Sequence, residues 1–174
     1  GDRRLFQRPL ARLYSQYHVT LLVDCSGSMS GSGCYYAAQA AHILFVSLKE
    51  SGASVDVIGF NREIFKLAAD SFQGINRDMI NLVSEEAASG NHDGYALSIV
   101  TNEILRQDKP GRIICVISDG VPRCDYPTPD CQRKGCFPTN RELSENLSFE
   151  VNNTRKKGIV LLALGIEHKV SNHY

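Results

Sequence analysis

Three short apolar runs punctuate the chain, at residues 19–23, 113–117 and 159–164, and the stretches between them repeat apolar residues at three- and four-residue spacing. The first run ends on Asp24 and a Gly/Ser cluster, as a buried parallel strand does when it gives way to a loop. Over residues 35–50, Ala38, Ala41, Phe45 and Leu48 recur with helical period, and Gly52 supplies the stop. Residues 54–60 read as the next strand. Residues 64–68, after a short turn near Asn61, read as its antiparallel neighbour at a sheet edge. Helices are expected over 75–87 and 94–107, the second turning Ala96, Ile99, Val100, Ile104 and Leu105 inward. Pro110 and Gly111 break the chain before a strand at 112–118, which again ends in an acid and a glycine, Asp119 and Gly120. Asn140 then caps a helix running to about residue 157, with Glu142 in its first turn and Lys156 and Lys157 in its last. Residues 159–166 form the final strand.

Strands alternating with helices predict an α/β fold: a doubly wound, mostly parallel sheet with one antiparallel edge strand and helices on both faces. Such sheets carry their functional loops at the carboxyl ends of strands near the switch in strand order. Asp24 and Asp119 both stand at such ends. A length of 174 residues suits one domain, here residues 19–174 after a lead-in at 1–18, with a Cys/Pro-rich insertion at 121–140.

Charge narrows the partners. Lys plus Arg and Asp plus Glu balance at 19 each, so no basic excess drives binding to nucleic acid or anionic lipid. The apolar runs are far shorter than a bilayer span, and no secretory leader is visible, so a cytoplasmic protein is expected. Opening on Gly1, the chain reads as a fragment of a longer one. Of the six cysteines, Cys25 and Cys115 fall in or beside buried strands and read as core thiols. Cys124, Cys131 and Cys136 crowd a Pro-rich stretch where a disulfide and a Zn²⁺ clip both remain open, although the spacing fits no standard zinc pattern.

The candidate chemistry lies after the first strand. Asp24, Ser26 and Ser28 alternate in a loop that Gly27 lets curl, so three oxygen side chains can turn toward one point. A carboxylate with hydroxyls is a hard-oxygen set suited to Mg²⁺, Mn²⁺ or Ca²⁺. Asp119 and a polar residue of the 91–93 loop, Asn91 or Asp93, would complete the shell and leave one position for an incoming ligand. Any one of these residues alone would be read as a turn cap; the set at matching strand ends favours the metal.

Asp24-Cys25-Ser26-Gly27-Ser28 resembles the D-x-S-x-S metal-ion-dependent adhesion site (MIDAS) of von Willebrand factor A domains, and Ser118-Asp119-Gly120 resembles that family's second acidic loop. Within the superfamily three stretches resemble the C-terminal domain of the cobaltochelatase CobT subunits: 91–97, 117–122 and 164–168 with Val170 and Tyr174. The family resemblance implies a non-catalytic module whose metal grips an acidic side chain of a protein partner. The CobT resemblance implies a MoxR-type AAA+ ATPase as that partner, in an ATP-dependent complex inserting cobalt during cobalamin synthesis. An adaptor for another MoxR-type remodelling system is the alternative. Where most of the family offers a threonine in the third loop, this chain has Asn91 and Asp93. Tyr35 and His92 are expected on the partner-binding rim. Enzyme readings fit less well. A metal-dependent phosphotransferase of the haloacid dehalogenase type needs a second acid where Ser26 stands, no nucleophile elbow is spaced correctly, and no phosphate-binding P-loop is present.

Overall fold

The structure, a computed structural model, describes residues 14–84, 91–120 and 139–166. Among these residues five strands form one sheet in the order β3-β2-β1-β4-β5, with β1 at Tyr17–Asp24, β2 at Ser54–Phe60, β3 at Ile64–Lys66, β4 at Gly111–Ser118 and β5 at Val160–Gly165. All neighbours are parallel except β3, which pairs antiparallel with β2. The expected α/β class and antiparallel edge strand are therefore both present. From β1 the chain crosses to β2 on one side and later to β4 on the other, so the switch in strand order lies between β1 and β4.

Among the described residues four helices flank the sheet: α1 at Ser32–Glu50, α2 at Phe72–Val83, α3 at Asp93–Leu105 and α4 at Asn140–Lys156. Alternation along the strands sorts their side chains onto two faces. On one face Val19, Leu21, Val23, Val55 and Val57 pack against Ala37, Ala38 and Ala41 of α1 and Ile75 and Met79 of α2. On the other, Leu22, Phe60, Ile114 and Val116 pack against Ala96, Leu97, Val100 and Ile104 of α3 and Leu147 and Val151 of α4. Gly94, where an added Cβ would run into the Asn146 side chain, lets α3 approach α4 closely.

Several boundaries differ from expectation for local reasons. A 3₁₀ turn, Gly27–Met29, precedes α1, which begins at Ser32 and not Tyr35. Helix α2 begins before residue 75 because the Ser71 side chain accepts the Gly74 N–H and caps it. At α4 the cap is Thr139, not Asn140. Its hydroxyl accepts the Glu142 N–H while the Glu142 carboxylate accepts the Thr139 N–H, a reciprocal capping box. The final strand is less enclosed than its apolar run implies: Val160, Leu162 and Leu164 are exposed. The 121–138 part of the insertion, with Cys124, Cys131 and Cys136, and residues 167–174, with His168 and Tyr174, lie outside the described residues.

Candidate metal centre

Asp24 ends β1 fully buried, with two loops and the end of β4 bonded to its carboxylate. Its Oδ1 accepts the Ser26 backbone N–H at 2.8 Å. Its Oδ2 accepts the Ser118 hydroxyl at 2.8 Å and the Asn91 side-chain amide at 3.2 Å. Strand register explains the second contact: Val23 lies opposite Ile117, so the next residues along β1 and β4 are Asp24 and Ser118. Ser118 also accepts the Gly120 N–H at 3.0 Å, and Gly120 takes the left-handed φ of 86° that a non-glycine residue would resist. The loops after β1 and β4 and the loop before α3 are thus tied to one carboxylate.

Electrostatics at this point is unbalanced. Burial pushes the Asp24 carboxyl above its ordinary value, the hydrogen bonds from Ser26 and Ser118 pull it back, and the nearby Asp119 charge pushes it further up. Asp119 Oδ1 is buried with no hydrogen-bond partner among the described residues. Asp93 opens α3 and is buried, where the positive end of the helix dipole favours a carboxylate. The Ser26 and Ser28 hydroxyls lie 3.0 Å apart, with Ser28 exposed.

These groups fit a hard cation. An octahedron with bonds of about 2.0–2.1 Å has edges of about 3 Å, which is the serine spacing, and a divalent charge would offset two neighbouring acids. Among the described residues no three His, Cys, Asp or Glu side chains gather as a metal-binding group. An ion here would therefore depend on the two serine hydroxyls, a donor set that disfavours zinc.

Of the expected rim, Tyr35 is 46% exposed on the first turn of α1, edge-on to Tyr36 and to Phe72. His92 corrects the expectation: it is 6% exposed, because it sits at the N-cap of α3 with its backbone N–H donated to the Asn61 carbonyl at 3.2 Å. Burial, then the Arg62 charge, lowers its imidazole below the ordinary value. The exposed aromatic beside it is Tyr95, at 44%. Cys25 and Cys34 are buried free thiols and Cys115 a half-buried one. Burial raises all three thiols, leaving them unreactive.

A sequence profile of the von Willebrand factor type A domain matches residues 18–174. The chain belongs to that family. Solved structures of similar fold include an aerotolerance-related membrane protein of Bacteroides fragilis NCTC 9343, with TM-score 0.57 and 18% identity over 86% of this chain and 67% of that one. BatB of Bacteroides thetaiotaomicron follows at TM-score 0.55 and 19% identity, over 86% and 66% of the two chains. The pilus adhesin SpaC of Lactobacillus rhamnosus GG, in its open conformation, gives TM-score 0.60 at 16% identity over 91% of this chain. The VWA domain thus spans about two thirds of each Bacteroides protein and 25% of SpaC. At these identities the likeness is one of fold. No helix among the described residues is long and apolar enough to cross a membrane.

Two residues of this region escaped the sequence reading. Ser118 was named only in the likeness to the family's second acidic loop, with no role for its hydroxyl, although it donates to Asp24. Asn61 was taken as a turn residue although it follows the carboxyl end of β2, the strand paired with β1. A polar residue at every strand end near the switch is the signal that would have found both.

Proposed function

We propose that this VWA domain is a metal-dependent protein-binding module of the MIDAS type. Ser26, Ser28 and Asp119 would hold a divalent hard cation, Mg²⁺ or Mn²⁺ ahead of Ca²⁺, while Asp24 and Asn91 keep the three loops in register and Asp93 adds negative charge. When bound, the ion supplies an open position for a carboxylate oxygen of a partner protein. The exposed Tyr35 and Tyr95 would rim that contact. The single observation behind this reading is that the loops following β1 and β4 and the loop preceding α3 share the Asp24 carboxylate, with the paired serine hydroxyls alongside.

The partner we infer is a MoxR-type AAA+ ATPase, with the parent protein acting as a CobT-like subunit of an ATP-dependent cobaltochelatase in the cytoplasm. The support is the sequence likeness of residues 91–97, 117–122 and 164–168 to CobT. A second reading, adaptor for a different MoxR-type remodelling system, draws on the Cys/Pro-rich insertion at 121–140, most of which lies outside the three stretches of CobT likeness. Affinity capture from a lysate containing Mg²⁺ tests both: an AAA+ ATPase should be retained by the native domain and lost with chelator or with Asp24→Ala. Retention unaffected by either treatment overturns the metal-dependent reading. Cobalt insertion by the reconstituted complex separates the first partner system from the second.

A further inference from the structure

Asn61 lies between two of the loops described above. The residue before it, Phe60, pairs with Asp24 in the β1–β2 register and accepts the Cys25 N–H at 2.7 Å. The Asn61 carbonyl accepts the His92 N–H at 3.2 Å. The residue is therefore clamped between the loop carrying Asp24, Ser26 and Ser28 and the loop carrying Asn91 and Asp93. Its side chain is 1% exposed. The Glu63 N–H donates to Asn61 Oδ1 at 2.9 Å, and the Asn61 N–H donates to the Glu63 carbonyl at 3.0 Å. This turn uses the acceptor half of the amide and fixes its orientation.

Asn61 Nδ2 is buried with no hydrogen-bond partner among the described residues, a condition that costs the group its lost hydration. The turn does not require it, because Asp or Ser serves the same turn through an oxygen alone. On the other side of β1, after the end of β4, Asp119 Oδ1 is a buried acceptor equally without a partner among the described residues. A bare donor and a bare acceptor flanking one carboxylate hub are the surroundings in which an ordered water is retained.

We propose that Asn61 is a further positioning residue of this centre, its Nδ2 donating a hydrogen bond to a water of the divalent cation's inner hydration shell. The inference rests on the MIDAS reading above. Such a water offers one lone pair to the cation and one to Asn61, and its two hydrogens to carboxylates. Every other side chain assigned to the shell offers oxygen, so the Asn61 amide contributes the donor that orients this water. A structural role in the turn alone would leave cation binding untouched.

The test uses Mn²⁺ as probe. Its affinity is read from the electron paramagnetic resonance of the free ion, and its bound waters are counted by spin-echo spectroscopy in H₂O and D₂O. The purified native chain is compared with Asn61→Ser, which keeps an oxygen for the Glu63 N–H but cannot reach the water, and with Asp24→Ala. Asn61→Ser should melt at the native temperature, bind Mn²⁺ about tenfold more weakly and hold one bound water fewer. If Asn61→Ser proves unfolded, Asn61→Thr offers the same hydroxyl to the turn and carries the same expectation. Native affinity with the native water count in a folded variant overturns the role of Asn61 and leaves the metal site standing. A native chain that takes up no more Mn²⁺ than Asp24→Ala overturns the site itself, and this inference with it.

Discussion

Strand β1 buries a polar group at each end, and the two ends handle it in opposite ways. At the start, His18, 3% exposed, shares its ring between the Ser54 hydroxyl at 3.1 Å and the Asp56 carboxylate at 3.3 Å, and Lys66 lies 3.3 Å from the same carboxylate. Donors and acceptors, and positive and negative groups, are matched there by side chains of the sheet itself. At the far end, among the described residues, Asp24 is held by neutral donors alone, while Asp119 adds a second acid and an oxygen without a partner. A buried cluster that is complete stabilises the fold. One left with surplus charge and open valence is a candidate ligand site.

Removing the hub should produce the largest contrast. Asp24→Ala is expected to weaken Mg²⁺ binding by about 10–100-fold, measured by calorimetry, whereas His18→Asn should leave it unchanged. Equal losses would show that the two ends are one cooperative unit. Smaller effects should separate the ends by stability. Ser118→Ala strips a donor from Asp24 and an acceptor from Gly120, and should lower the unfolding free energy in urea by about 1–3 kcal/mol. Ser54→Ala, which removes one half-buried bond to His18, should cost about 0.5–1.5 kcal/mol.

The smallest effect is a pair of opposed pH slopes. Burial, the largest influence, lowers the His18 imidazole below 6.5 even though Asp56 pulls it upward. The unfolded chain therefore binds the proton more tightly, and this contribution, complete above pH 6.5, is lost as pH falls toward the folded value. Asp24 is raised above 3.8, so the folded chain binds that proton more tightly and stability is lost as pH rises from 3.8 through the folded value. Urea melts across acid pH should show the His18 slope vanish in His18→Asn. The Asp24 slope should vanish in Asp24→Asn and shrink when Mg²⁺ is added. Slopes of one sign would break the comparison.

Much of the fold was legible because it is written locally. Alternating and helical periods located the strands and helices, with misplaced ends where a cap such as Ser71 or Thr139 decided the first turn. The acid-and-serine loop could be read because Asp24, Ser26 and Ser28 lie within five consecutive residues. His92 was misjudged because nothing in a polar loop announces that its backbone will dock on Asn61, 31 positions earlier.

The sequence by itself determined the element order, the two-sided core and the oxygen-rich chemistry of the first loop, since each depends on neighbours a few residues apart. Tertiary structure alone decided that Ser118 and Asn91 would share Asp24, that His92 would turn inward, and that Asn61 would hold a bare donor beside them. Those contacts depend on which strands lie side by side and in what register, and that is settled only when both faces of the sheet find their helices.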